Sequence, residues 1–407
     1  MLTLLLSLVI LNYLVESLIK ILNYRHGKNP LHPTLANLYS ESEYRRSIEY
    51  SEANFKLSLA NSTYSILTMV AALALGVFGK LDEYVRGLVN SEILIALLFF
   101  AILGVASDLL DLPFDLYGTF VIEDRFGFNK TTAKTFILDK IKGYLLSGLI
   151  GGGLLALIIF IYQETGSAFW LLGWLLLSLF SLVMFMFGTT LILPLFNKLK
   201  PLEEGELKDE ILNYCKQEGY SIGRLFVMDA SKRSTKLNAF FSGMGKVKII
   251  GLYDTLIEKL TTKETVAVLA HEVGHYKRKH VYTMFAFSNV QTLVIFSLMG
   301  WLLSNPNLSK ALGSDTPSFH LSMIAFFMLF TPVSTVLGLI NNSFSRHNEY
   351  QADQYSIDTY PGARDHMYSA LKKLSVESLS NLNPHPVYVA VHYSHPPILD
   401  RLANLKK

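Results

Sequence analysis

Apolar residues along this chain come in blocks too long to be ordinary core helices. Seven stretches, roughly 2–23, 62–79, 92–110, 143–163, 169–193, 282–303 and 319–341, carry few charges. A bilayer core of ~30 Å asks for about 20 apolar residues of helix, so the pattern predicts seven membrane-spanning helices. The second stretch is short and the seventh contains Pro332. The first is long for a secretion-signal core and lacks a small-residue cleavage site, so it reads as a retained anchor.

The loops set an orientation, because cytoplasmic loops are enriched in Lys and Arg. Arg25, Lys28, Arg45, Arg46 and Lys56 follow the first stretch, and Arg125, Lys130, Lys134, Lys140 and Lys142 follow the third. The loops between are poor: Lys80 and Arg86 after the second, none after the fourth, Lys310 alone after the sixth. That alternation predicts an N-terminus outside, with 194–281 and 342–407 together in the cytoplasm. The expected division is therefore 1–193 with helices one to five, 194–281 and 342–407 as two parts of one soluble domain, and 282–341 with helices six and seven. Leu225-Phe226-Val227-Met228 and Val247-Lys248-Ile249-Ile250 read as strands, and 206–217 and 262–280 as helices.

Composition agrees with a membrane protein. Of 407 residues 51% are apolar and 17% charged, against about 25% charged in soluble chains; mean hydropathy is +0.33. A net charge of +3 gives no basic footprint for nucleic acid. Cys215 is the sole cysteine, so no intrachain disulfide forms. Among polar residues in the spans, Glu16 and Lys20 are four apart and are expected to pair near the interface. Asp108 and Asp111 are either wet or line a space between helices. Gly151-Gly152-Gly153 is expected to permit close helix packing.

The chemistry concentrates in His271-Glu272-Val273-Gly274-His275. Thr261 and Glu264 form a capping-box pattern ahead of it. Positions four apart share a helix face, so both imidazoles can address one metal ion. Glu272 lies about 100° around the helix and can reach a water as general base. A chance match on an exposed helix is the plain alternative. Catalytic zinc takes three protein ligands and keeps one open position, and Glu349 and Asp353, four apart beyond the last apolar stretch, supply one ligand and one residue to orient an imidazole. A solvated acidic face would look the same. His347 competes as third ligand but points to another face. His395, before Pro396-Pro397, and Arg401 suit a developing oxyanion or a substrate carboxylate, or are surface residues. Asn238-Ala239-Phe240-Phe241 offers an edge to an extended peptide, or a hairpin turn.

Taken together, these residues resemble the integral-membrane CAAX prenyl protease family of gluzincin-type zinc metalloproteases. The more specific stretches are Pro113-Phe114-Asp115-Leu116-Tyr117, Thr119-Phe120-Val121-Ile122-Glu123, Phe126-Gly127-Phe128-Asn129-Lys130-Thr131, Pro194-Leu195-Phe196-Asn197-Lys198 and Pro201-Leu202 with Glu204-Gly205. The resemblance implies a mostly α, polytopic fold in which seven helices enclose a water-filled chamber closed by a cytoplasmic α+β zinc protease domain. It implies one zinc ion per chain on His271, His275 and Glu349, Glu272 as base, and Asn238, Asp353, His395 and Arg401 around the cleft; His395 is expected to stabilise the oxyanion. The implied partners are the bilayer and peptide substrates with C-terminal CAAX tails, prenylated or not. The short chain and its end in Leu405-Lys406-Lys407, which is no clean retention signal, favour a bacterial inner membrane over the endoplasmic reticulum. A broad quality-control protease of membranes, or an inactive zinc-containing scaffold or transporter for lipopeptides, are the rival readings.

Overall fold

The computed structural model describes residues 1–31, 33–35, 39–242 and 248–406. Helices α1 (Leu2–His26), α2 (Glu41–Ala74), α3 (Val77–Arg86) and α4 (Glu92–Tyr117) open the chain; α4 continues as a π-helical turn through Glu123. Then come α5 (Ala133–Leu146), a second π segment at Ser147–Gly151, α6 (Gly152–Thr165) and α7 (Phe169–Leu191). Seven helical runs are long and apolar enough to cross a membrane, by length and composition, among the described residues.

Their neighbours give the shape. Going round, α1 touches α2, α2 touches α4, α4 touches α6 and α6 touches α7; α7 then meets α12 (His280–Leu302), α12 meets α14 (Phe319–Thr359), and α14 returns to α1. Each helix thus meets the next in a closed ring, and α14 also touches α4. Only 6–17% of each run's most apolar window is buried, so most side chains face something other than protein. One end of the ring is closed by a cluster that includes Leu5, Leu73, Phe78, Phe99, Leu308, Leu321 and Ala325.

A smaller unit covers the other end. After the short α8 (Leu193–Phe196), β1 (Leu199–Pro201), α9 (Glu206–Gln217), β2 (Arg224–Met228), β3 (Ala239–Ser242), β4 (Ile249–Tyr253), α10 (Asp254–Lys259) and α11 (Thr262–Lys277) precede α12. The sheet order is β1-β2-β4-β3, with β2 and β4 parallel and β3 an antiparallel edge strand. Central β4 is the near-continuous apolar run that burial on both faces requires. Past the ring come α13 (Asn307–Ala311), between α12 and α14, then α15 (Ala363–Glu377), α16 (Pro386–His392) and α17 (Ile398–Leu405). Ile211, Ile250, Val266 and Ala270 share one core with Met367, Ala370, Leu402 and Leu405, so the stretches before α12 and after α14 meet on one side of the ring.

The loop between α4 and α5 fastens the two parts. Lys130 N donates to Arg233 O (3.0 Å), Thr235 N to Phe128 O (3.1 Å), and Arg233 forms an ion pair with Asp139 (2.8 Å). Phe126 and Phe128 are buried against Tyr50 and Leu379.

Three local expectations fail. Glu16 and Lys20 do not pair: Lys20 donates to Ser62 Oγ (2.8 Å) and Glu16 lies 3.3 Å from His392 Nε2. Partners on the neighbouring helix and on the smaller unit are within reach, and they win. A Cβ built on Gly151 or Gly153 would meet nothing within 4 Å, and on Gly152 only Leu97 at 3.8 Å, so these glycines end a π-helical segment and begin α6 rather than sit at a close helix contact. The helix expected at 262–280 ends at Lys277, because Lys279 adopts φ 61° and starts α12 on a new axis. Of the strand expected at 247–250, Ile249 and Ile250 are in β4; Val247 lies outside the described residues. Asp108 meets Lys140 at 2.7 Å.

Candidate metal centre

Local sequence dictates where α11 starts. Thr261 Oγ1 accepts from Glu264 N (3.3 Å), and Glu264 Oε2 accepts from Thr261 N (2.7 Å). Such a cap stabilises by about 1 kcal/mol. Glu264 also meets Lys373 (2.7 Å) and Ser369 (2.6 Å) on α15, which fixes α11 in rotation. Two turns on, Gly274 lets α14 approach: a Cβ there would lie 3.0 Å from Tyr355 Cβ and 3.2 Å from the Ala352 backbone. Ser356 Oγ donates to Ala267 O (3.1 Å) across the same seam. At 1.5 Å per residue, the 41-residue α14 is about 60 Å long. It crosses the ring and runs on beneath α11 as one rod, carrying Glu349 and Asp353.

The seam brings three donor atoms together. One ligand atom each from His271, His275 and Glu349 lies within 4.8 Å of the others. His275 Nε2 is 3.1 Å from His271 Nε2 and 3.2 Å from Glu349 Oε1, and His271 Nε2 is 3.4 Å from Glu349 Oε2. Glu349 is 3% and Asp353 0% exposed. Behind His271, Nδ1 meets Asp353 Oδ1 at 2.8 Å. Arg401 grips Asp353 with Nε (3.0 Å) and Nη2 (2.5 Å), and its Nη1 is 3.5 Å from Glu349 Oε2. Leu402 and Leu405 of amphipathic α17 are fully buried, which pins the arginine. Burial pulls the His271 pKa down, but hydrogen bonding to Asp353 and Glu349 outweighs it and lifts it to about 9.

A cation fits this arrangement. Two buried carboxylates face one guanidinium, and with no metal ion between them the second positive charge is a proton on His271, whose place a metal ion would take. Glu349 Oε2 is buried without a hydrogen-bond partner, although two nitrogens lie within ion-pair distance. Two imidazole nitrogens and a carboxylate oxygen are the donor set of an open catalytic zinc site.

The other expected residues lie around it. Glu272 and His395 line a cavity of about 760 Å³ with His275, Glu349 and Asn348, walled by Phe180, Met184, Phe241, Met284 and Phe285. The Glu272 carboxylate makes no hydrogen bond to protein among the described residues. His395 Nε2 is 3.4 Å from Glu349 Oε1, and its side chain is 65% exposed. Asn238 is exposed at the start of edge strand β3; it lines a neighbouring cavity with His395 and Arg401 and touches none of the three donors. Arg401 is occupied by Asp353. His347 is exposed and meets Gln351 (2.9 Å), not the donor set. Sequence reasoning missed Gln351 and His280, which line up behind His275; only the fold reveals them, because the helix break at Lys279 ends any periodic signal.

Comparison with known proteins agrees. Residues 20–198 match the family described as "CAAX prenyl protease N-terminal, five membrane helices", and residues 201–407 match "Peptidase family M48". The "CAAX prenyl protease 1 homolog" of Arabidopsis thaliana is 37% identical over 404 residues, covering 97% of this chain and 94% of that protein. "CAAX prenyl protease 1" of Saccharomyces cerevisiae is 33% identical over 408 residues, covering 93% and 89%. The crystal structure of S. mikatae Ste24p superposes with a TM-score of 0.92 at 32% identity, covering 98% of this chain and 97% of that one. These relatives are eukaryotic and of nearly the same length, so shortness is no argument for a bacterial membrane. On both patterns and on near full-length relatives, the chain belongs to Peptidase family M48 and is a multi-pass membrane metalloprotease.

Proposed function

We propose that this protein is a zinc-dependent endopeptidase that cuts peptide bonds near the C-terminus of CAAX-type substrates, prenylated tails included, inside a chamber formed by its helical ring. The supporting observation is the convergence of His271, His275 and Glu349 at a partly apolar cavity that Glu272 also lines. The names of the full-length relatives add the substrate class. Residues 1–193 and 282–341 form the membrane part, and 194–281 with 342–407 the protease domain. The basic loops support a cytoplasmic position for that domain and an N-terminus outside.

His271, His275 and Glu349 would hold one zinc ion, which would supply an acidified water and polarise a carbonyl. Glu272 accepts the proton of the attacking water and later delivers it to the leaving amine. His395 donates from Nε2 to the oxyanion that develops on the scissile carbonyl. Asp353 holds His271 by Nδ1, and Arg401 holds Asp353; both are positioning residues. The free edge of β3, beginning after Asn238, pairs with the extended substrate backbone.

The test is cleavage of matched farnesylated and unmodified peptides ending in Cys-aliphatic-aliphatic-X by purified protein, with and without chelator. Chelator-sensitive cleavage is expected, with Glu272→Gln retaining zinc and losing turnover. An active Glu272→Gln enzyme removes the base assignment. Full zinc occupancy without cleavage favours the scaffold reading, and equal cleavage of both peptides favours a housekeeping role.

A further inference from the structure

The two histidines of the centre are held from behind by different chemistry. His271 Nδ1 faces a carboxylate, Asp353. A carboxylate accepts only, so the ring keeps a hydrogen on Nδ1 and Nε2 is the nitrogen left to meet a metal ion. His275 has no such partner. Its Nδ1 lies 3.1 Å from Nδ1 of His280, His280 Nε2 lies 2.9 Å from Gln351 Oε1, and Gln351 Nε2 lies 2.9 Å from His347 Nε2. His280 is 5% exposed, whereas His347 is exposed. The left-handed backbone at Lys279 (φ 61°), costly for a residue with a side chain, folds His280 back onto His275.

The chain has a direction. The amide oxygen of Gln351 only accepts, so His280 carries its hydrogen on Nε2 and, as a neutral ring, offers a bare Nδ1. Two facing Nδ1 atoms bond only when one of them carries hydrogen. That hydrogen therefore sits on His275 Nδ1, which leaves Nε2 for a metal ion lying between it and Glu349. With the amide turned over, every bond reverses and His275 carries hydrogen on Nε2, where it blocks coordination.

We propose that His280, Gln351 and His347 form a directional hydrogen-bond relay that holds His275 in its metal-binding tautomer and thereby sets metal affinity. The inference rests on the metal centre proposed above. It makes His280 and Gln351 positioning residues, and it gives His347, at the exposed end, the task of orienting the amide by presenting a bare Nε2.

The experiment measures zinc affinity of the purified full-length protein by competition with a chromophoric chelator, with the melting midpoint of the metal-free protein as a folding control. Loss of an outer partner of a metal-bound histidine typically weakens binding about 10–100-fold, and that loss is expected for His280→Phe. Gln351→Met should weaken binding more than threefold, because it no longer fixes the direction. Gln351→Glu should bind as the parent does, since a carboxylate also accepts from His280 Nε2. A merely structural role would not separate these two variants. Should His280→Phe not fold, the contrast at half-buried Gln351 decides alone. Binding by His280→Phe within threefold of the parent, or by Gln351→Glu as weak as by Gln351→Met, would overturn the relay. Failure of the parent itself to bind one zinc would instead overturn the metal centre.

Discussion

Two buried clusters of histidine and carboxylate hang on the same helix, α14, and only one is built for chemistry. At the N-terminal end of α14, His320 Nε2 meets Asp82 Oδ1 at 2.8 Å. Asp82 also accepts from Arg86 Nε (3.0 Å), Ser314 Oγ (3.1 Å) and Ser318 Oγ (3.4 Å), and Arg86 continues to Glu92 (2.5 Å). One buried carboxylate is there surrounded by donors and a fixed cation. Its remaining gap is His320 Nδ1, which has no partner; the Phe99 ring centroid lies 4.5 Å from that of His320. At the other cluster, 29 residues and about 44 Å further along the helix axis at Glu349, ligand atoms face one another. Nε2 of two imidazoles and a carboxylate oxygen converge, while the guanidinium nearby makes its hydrogen bonds to Asp353. A carboxylate saturated with donors marks a structural cluster; ligand atoms aimed at one another mark a place for a metal ion.

The contrast can be broken from either end. The largest effect is expected from Glu349→Ala, which removes the convergent oxygen: zinc retained after dialysis should fall from one equivalent to near none, and peptidase activity by at least about a thousandfold, the scale of losing an essential catalytic interaction. The variant should fold about as stably as the metal-free parent. Asp82→Asn should do the reverse. Unbalancing a buried ion pair costs about 3–5 kcal/mol, so denaturant melts should shift while zinc per folded molecule stays at one; loss of zinc there would mean that the far cluster feeds the site. Gly274→Ala forces a Cβ against Ala352 and Tyr355, an overpacking cost of about 1–3 kcal/mol, and should lower both stability and zinc affinity because the same seam sets both.

The smallest effect concerns the core beneath the centre. Burial raises the Cys215 pKa from 9.0 to about 12 and also raises those of Tyr214 and Tyr220. The folded state then holds protons that the unfolded state releases, so this contribution is present below about pH 9 and is lost as pH climbs towards 12. Melting midpoints should decline steadily above pH 9; a flat profile to pH 11 would contradict the assignment.

The sequence carried what depends on one helix at a time. Seven apolar blocks announced themselves by length, and His271 and His275 by four-residue spacing. Glu349 and Asp353 followed from the same spacing together with the basic loops that put them on the same side. What sequence left out depends on how helices meet. Gly274 gave no sign that it admits a neighbouring backbone. Arg401 read as a cation for an oxyanion or a substrate carboxylate until α17 laid it on Asp353. His347 read as a rival ligand, although its partner is Gln351 one turn along. Closure of the ring, and the Asp82–His320 cluster that helps seal one end, join residues more than two hundred positions apart, for which no local pattern exists.

The most direct test is anomalous scattering at the zinc edge from crystals of the zinc-loaded protein. A single peak is predicted at about 2.0–2.2 Å from Nε2 of His271, Nε2 of His275 and a carboxylate oxygen of Glu349. A peak that omits Glu349, or zinc-loaded active protein with no peak between these three side chains, would contradict the account.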